Sequence, residues 1–176
     1  MANQDEYKSV IGVDQLYIAE VLQDDANAYL ADTPAWLAPL AELSLEPATN
    51  SETQYADNQA YDVMDSVGET KLSATITNLP AEMYARLTGQ VFDPTTGRVY
   101  ETEGAAPYFA LGFRTMKSNG KYRYYWFQKV KFGLPKEEAA TKTDTPEFKT
   151  TPLTITAIKT VFKFDVGDTD ESVKRV

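Results

Sequence analysis

Two adjacent carboxylate pairs, Asp24-Asp25 and Glu137-Glu138, are the residues with the most obvious chemical potential in this chain. Paired carboxylates can share a proton or hold a cation, but only if both reach one site. Adjacent residues on a strand face opposite sides of the sheet, and adjacent loop carboxylates are ordinarily solvated. No D-x-[DN]-x-[DN]-G run supplies a calcium loop. The chain contains no His and no Cys. That removes Ser-His-Asp and Cys-His triads, the HExxH zinc motif, thiolate zinc sites and disulfides together. The nine glycines are scattered, with neither GxGxxG after a strand nor a Walker A run, so nucleotide binding has no support. The residues point to no catalysis, no cofactor and no metal.

The remaining site-like stretch is RTMKSNGKYRYYWFQKVKF, residues 114–132, with six aromatic and six Lys or Arg residues. Basic residues interleaved with aromatics can neutralise and stack single-stranded nucleic acid. A nucleic-acid-binding domain is usually basic overall, with pI above about 9; this chain has a pI near 4.5. Asn119-Gly120 instead marks a hairpin turn, of type I′ if those two residues form the loop. That register sets Phe113 opposite Trp126, Leu111 opposite Gln128 and Phe109 opposite Val130. The expected core of the hairpin is then Phe109, Leu111, Phe113, Tyr124, Trp126 and Val130. Arg114, Gly112 and Ala110 take the other face, opposite Tyr125, Phe127 and Lys129. An exposed aromatic row would equally suit a sugar, so an aromatic-rich carbohydrate-binding β-sandwich is the alternative reading.

The elements that must position this hairpin are mostly strands. Tyr and Thr are abundant, and aromatics reach 12%, a composition that favours sheet. Residues 15–23 read as a strand with Leu16, Ile18 and Leu22 on one face. Residues 37–45 read as another, with Leu37, Ala41, Leu43 and Leu45 opposed to Glu42, Ser44 and Glu46; Pro39 sets its start or places it on an edge. Residues 71–79 alternate, with Leu72, Ala74 and Ile76 inward and Ser73, Thr75 and Thr77 outward. AEMYARLT follows as a short helix, with Asn78 as candidate N-cap, Gly89 as terminator and Met83 and Leu87 as its buried stripe. A small hairpin spans 90–101. A strand covers 152–164, with a phase change that predicts a bulge near Ala157.

Between these lie connections. Residues 46–70 are acidic, turn-rich and poor in aliphatics, and read as a long loop whose Tyr55, Tyr61 and Met64 dock on a neighbouring subunit. A second connection covers 133–151, with a helical turn at 136–140. Residues 1–10 form a polar N-terminal arm and residues 165–176 a frayed tail. One domain is expected, an antiparallel β-sandwich or barrel with one flanking α-helix. No stretch approaches the roughly 18 apolar residues of a membrane span, and the polar start of the chain is no secretory signal.

Charge divides the chain. Residues 1–105 hold 18 acidic and 4 basic side chains, and residues 106–176 hold 8 acidic and 13 basic ones. Such a split suits head-to-tail contact between copies, although neutralisation within one fold would account for it too.

The order LYIAEVLQDD, AELSLEP, QYADN, SATITNLPAEMYARLTG, PYFALGFRTMKSNGKYRYYWFQKVKFGLPKEEAATK and TPLTITA resembles the major tail proteins, or tail-tube proteins, of long-tailed phages and prophages of Gram-positive bacteria. The resemblance covers residues 10 to 160. It implies a structural virion protein, made in the bacterial host cytoplasm and placed in the tail. It implies hexameric rings stacked into a tube through which DNA passes at ejection without specific binding. Tape-measure and tube initiator or terminator proteins are the implied partners, and no membrane is involved. For such a tube, an acidic bore would repel phosphate, so Glu42, Ser44 and Glu46, or Ser73, Thr75 and Thr77, are expected to line the lumen.

Overall fold

The computed structural model describes residues 7–135, 149–167 and 169–175. In chain order its elements are β1 (Val10–Asp24), β2 (Tyr29–Ala31), β3 (Ala35–Ala38), β4 (Leu40–Ala56), β5 (Gln59–Ile76) and α1 (Ala81–Thr88). Then follow β6 (Val91–Asp93), β7 (Arg98–Tyr100), β8 (Phe109–Lys117), β9 (Tyr122–Phe132), β10 (Thr151–Ala157), β11 (Lys163–Val166) and β12 (Thr169–Ser172). The fold is mainly β and antiparallel, with one helix among the described residues, as the composition and alternation predict.

Eight strands form one sheet in the order β2-β1-β8-β9-β10-β5-β4, with β3 also on β1; β6-β7 and β11-β12 are separate two-stranded ribbons. The sheet is not closed into a barrel, since its path ends at β2 and at β4. Its strands nonetheless share a single core. Leu16 and Ile18 of β1, Phe109, Leu111 and Phe113 of β8, and Phe127, Val130 and Phe132 of β9 meet Leu153 and Ile155 of β10 and Leu72, Ala74 and Ile76 of β5. The sheet therefore folds over this cluster as two layers, with Leu43 and Leu45 of β4 against its margin.

Pro39 makes the turn between layers. β3 pairs with β1, Leu16 facing Ala38, and β4 pairs with β5 from Leu40 facing Ile76. Proline cannot donate to a ladder, and here its carbonyl accepts from Thr77 N–H instead. Both readings of Pro39 hold: β4 starts after it and is an edge strand.

Helix α1 begins at Ala81 with Pro80 in the cap position and no side-chain cap, so Asn78 is not the N-cap. It ends on Gly89 at φ 74, a left-handed conformation that suits glycine. Leu87 is fully buried and Met83 partly so. Arg86 ties the helix to the sheet through Glu20 (3.4 Å) and Asp32 (3.6 Å).

Further expectations change. The stretch 46–70 is not a loop: β4 and β5 continue as a two-stranded ribbon to a tight turn at Asp57 (φ 52) and Asn58 (φ 60). Asp and Asn are among the few non-glycine residues that tolerate this conformation.

The tail is not frayed over its described part. β11 pairs with β12, Gln128 N–H donates to Lys174 O, and Phe127 bridges to Arg175. The phase change at Ala157 is the end of β10, not a bulge within it. The 136–140 helical turn and residues 1–6 lie outside the described residues.

The register of the β8–β9 hairpin changes as well. Lys117 O accepts from Gly120 N–H (2.9 Å) and Lys117 N–H donates to Lys121 O (2.8 Å), so the loop is Ser118, Asn119 and Gly120. Only Gly120 has positive φ, at 77. This three-residue loop moves the pairing by one position, and a one-residue slip exchanges the faces of a strand. Phe113 faces Tyr125, Gly112 faces Trp126 and Arg114 faces Tyr124. A bulge between Phe109 and Leu111 then restores the expected pair of Phe109 with Val130.

Candidate assembly surfaces

The β4–β5 ribbon is the first surface. Beyond Thr70 it projects from the body as an arm in which Thr53 faces Val63, Glu52 faces Met64 and Tyr55 faces Ala60. Tyr55, Tyr61 and Met64 are 72%, 76% and 73% exposed. By strand alternation Val63 and Val67 share one face, while Met64 lies on the other beside Glu52 and Asp62, and Tyr61 stands at the register shift near the turn. Residues 46–70 carry six carboxylates and no Lys or Arg, so the arm is both acidic and apolar-tipped.

The outward wall of β4, β5 and β10 is the second. Glu42 faces Thr75, Ser44 faces Ser73 and Glu46 faces Lys71. Thr154 and Thr156 of β10 extend the rows from Ser73 and Lys71. The two sets expected to line a lumen are thus one continuous surface, opposite Leu72, Ala74 and Ile76. Thr77 sits just past the ladder and is exposed. Short hydroxyls with few carboxylates make a smooth, weakly acidic wall.

The outer face of β3-β1-β8-β9 is the third. Trp36 faces Tyr17, Tyr17 faces Gly112 and Gly112 faces Trp126, so both tryptophans lie in one row across four strands. The next row is Asp14, Arg114 and Tyr124. Gln15, at φ 55 in the bulge of β1, opens this face. A groove of about 480 Å³ is lined by Gln15, Tyr17, Gly112, Arg114, Tyr124 and Trp126, and reaches Phe113 and Tyr125 between the strands. Arg114 donates to Asp14 at 2.6 and 3.0 Å and lies 4.1 Å over the Tyr122 ring. The hydrogen bond from Arg114 holds the Asp14 carboxyl below its usual range, against a smaller opposing effect of burial. Tyr124 is 70% exposed and Trp126 belongs to this outer face. Neither joins the core with the buried Phe109, Leu111, Phe113 and Val130, because the register shift gives their inward places to Tyr125 and Phe127.

Asp24 and Lys174, neither of them singled out from the sequence as a structural anchor, fix these surfaces to one another. Asp24 accepts from Lys129 Nζ (2.6 Å) and from the N–H groups of Val161 and Phe162 (both 2.9 Å). Its side chain is 5% exposed. Burial pushes its pKa up, but the bonds from Lys129 and the two amides prevail and hold it low. Tyr29 Oη donates to Gln128 O, and burial, then the Asp24 charge, push its pKa up to about 12. Lys174 Nζ donates to Gly68 O and to Thr70 Oγ1 at the root of the arm. Burial, with the charges of Lys159 and Arg175 nearby, lowers its pKa.

Asp24 and Asp25 share no site. Asp24 is spent on this anchor, while Asp25 accepts from Gln23, Asn27 N–H and Ala28 N–H in the β1–β2 turn. Glu137 and Glu138 lie outside the described residues. Among the described residues no group of three or more His, Cys, Asp or Glu could hold a metal, and no helix is long and apolar enough to cross a membrane.

A family model described as phage tail tube protein matches residues 43–172, from the outward wall through the arm, the hairpin and the C-terminal ribbon. The chain belongs to the phage tail tube protein family. It is therefore a structural component of the phage tail that assembles with itself and other tail proteins, and it is not an enzyme. Cuticle protein 7 isoform b of Limulus polyphemus is also similar, at 46% identity over 48 residues, which is 27% of this chain and 70% of the relative. Isoforms a and c of the same organism are 53% identical over 38 residues, 22% of this chain. The chain spans 56% of the length of each of these two isoforms. These similarities cover about a quarter of the tail tube protein, and the family match covers most of it.

Proposed function

We propose that this tail tube protein forms stacked hexameric rings in the virion tail and that DNA passes through their bore at ejection. The observation that carries the reading is the β4–β5 arm, whose Tyr55, Tyr61 and Met64 are more than 70% exposed. Large apolar side chains held out on a ladder away from their own core mark a contact surface. Heterologous contacts repeated around an axis close a ring, and the free edge of β4 is available for pairing between copies. In this arrangement Glu42, Ser44, Glu46, Ser73, Thr75 and Thr77 face the bore. Hydroxyls and carboxylates dominate there, and Lys71 on the same wall faces Glu46 and lies 3.8 Å from Glu69, so phosphate meets little uncompensated positive charge and the duplex slides without being held. Tape-measure and tube initiator or terminator proteins fill the bore and cap its ends, and subunits are made in the host cytoplasm before joining the tail.

Negative-stain micrographs of the concentrated protein, with averages viewed down the axis, test this reading. Sixfold rings with the β4–β5 wall inside are expected. A different symmetry, or a bore lined by the β8–β9 hairpin, would overturn it.

A further inference from the structure

Of the six asparagines in the chain only Asn119 precedes a glycine, and no aspartate does. This one step lies at the tip of the β8–β9 hairpin, in the loop of Ser118, Asn119 and Gly120. Residues 108–132 hold six bases and no carboxylate, so an acid formed at the tip would be the first in that segment. Asn27, Asn50, Asn58 and Asn78 are followed by Ala, Ser, Gln and Leu, whose side chains crowd the backbone nitrogen next to the asparagine.

The tip holds the Asn119 side chain against its own backbone. Asn119 Oδ1 accepts from Lys121 N–H at 3.1 Å, a bond of the Asx-turn kind that folds the side chain over the next residue. Asn119 Cγ and the Gly120 nitrogen are then the two ends of a ring that lacks one bond. Gly120 is exposed, at φ 77, and nothing stands within 4 Å of where a Cβ would be, so water reaches this nitrogen. Lys117 and Lys121 flank the loop and favour negative charge on the nitrogen and on Oδ1. One contact opposes the step: Gly120 N–H donates to Lys117 O at 2.9 Å, and that proton has to leave.

We propose that Asn119 is a site of self-modification, at which the hairpin tip converts its own amide into an acid. Hydroxide takes the Gly120 amide proton and the nitrogen attacks Asn119 Cγ. The new N–Cγ bond puts negative charge on Oδ1, which the Lys121 N–H already faces. The Cγ–Nδ2 bond then breaks, the amine takes a proton from water and leaves as ammonia, and a succinimide remains. A second water opens that ring at Cγ to give aspartate, or at the backbone carbonyl to give isoaspartate. Net, one water is consumed and one ammonia released, and nothing is oxidised or reduced. Aspartate keeps the acceptor for Lys121 N–H and adds only charge to the basic tip. Isoaspartate also adds a main-chain atom to a loop whose length sets the hairpin register. The proposal stands apart from the tube reading and does not depend on it.

Ageing the full-length protein tests this, with each asparagine followed by peptide mapping and by isoaspartyl methyltransferase labelling. Position 119 should change at least about tenfold faster than Asn27, Asn50, Asn58 or Asn78, because only there is the nucleophile both held and unscreened. Its rate should climb between about pH 7 and about pH 9, since the attacking nitrogen must first lose its proton. An Asp-specific protease finds no carboxylate in residues 108–132 of the fresh chain and should cut at the tip of the aged one. The same chain unfolded in urea measures what the loop contributes, and the folded rate should lie within about threefold of the unfolded rate or above it. Greater protection in the folded chain would mean that the Gly120–Lys117 bond prevails, and would overturn the proposal. A smaller lead of position 119 over the other asparagines would overturn it too. Asn119→Asp carries the charge without the added atom. Amide exchange at Lys117 and Lys121 should accelerate several-fold in the isoaspartate form and stay unchanged in Asn119→Asp, and equal exchange in both would overturn the effect on register.

Discussion

Trp126 lies across the Cα of Gly112 on the neighbouring strand, so closely that a Cβ built there would sit 1.8 Å from Cζ3 of the indole. Only glycine leaves room for this contact, and the contact explains why a glycine stands mid-strand opposite the largest side chain. Gly112→Ala must push the indole off the sheet, at a cost of about 1–3 kcal/mol. The urea midpoint should fall accordingly. Trp126→Ala alone should cost less, and the double variant should be much less destabilised than the sum of the two, since the clash then has no partner. Additivity would mean that the ring does not rest on Gly112.

The Asp24–Lys129 pair, with side chains 5% and 12% exposed, is the most buried ion pair among the described residues. Asp24→Ala strands the ammonium and frees the Val161 and Phe162 amides. Removing one partner of such a pair costs about 3 kcal/mol or more. Amide exchange should accelerate first in residues 160–166 and in β12. If exchange there is unchanged, Asp24 does not anchor the C-terminal ribbon.

The same groups set the pH limits of stability. Asp24 and Asp14 have folded pKa values below the ordinary 3.8. Their contribution is therefore present above the unfolded pKa of about 3.9 and is lost as pH falls through the lower folded values. Thermal midpoints should be level between about pH 5 and 8 as far as these groups are concerned. They should drop in strong acid, less steeply in Asp24→Asn. Tyr29 has the opposite sign. Its folded pKa of about 12 gives stability that is full below about pH 10 and is lost as pH rises through the folded value. Tyr29→Phe should flatten that alkaline limb, and an unchanged limb would remove Tyr29 from the account.

Glu42 and Glu46 stand on the wall assigned to the bore. In phage carrying Glu42→Lys with Glu46→Lys, each subunit exchanges two negative charges for two positive ones at the surface that DNA would pass. Tails should still form, and DNA release, followed by dye fluorescence after receptor triggering, should slow markedly and recover as salt rises. Release at the normal rate would place this wall away from the genome.

What was legible in the sequence was the part with a period. Leu72, Ala74 and Ile76 alternate with polar residues, and all three are buried at 0–1%. Helix α1 announced itself through Pro80, the spacing of Met83 and Leu87, and Gly89. The arm was hidden because both of its faces are wet, so no apolar alternation separates ladder from loop, and Asp57-Asn58 is a weaker turn signal than Asn-Gly. The hairpin failed differently. Asn119-Gly120 serves a two-residue or a three-residue loop, and the choice decides whether Trp126 or Tyr125 points inward. Local sequence does not hold that choice, and the close fit of Trp126 on Gly112 does. Anchors such as Asp24 with Val161 and Lys174 with Gly68 join residues more than a hundred positions apart, which no local pattern reveals.

Lys174 and its neighbours brace the root of the arm, yet they leave the ribosome after every strand of the main sheet. A chain halted after Ala157 would hold all eight of those strands and an arm with no strut beneath it. The direction in which the arm points is thus decided only after the main sheet has been made, and a subunit halted there has no aimed ribbon to offer a growing tail.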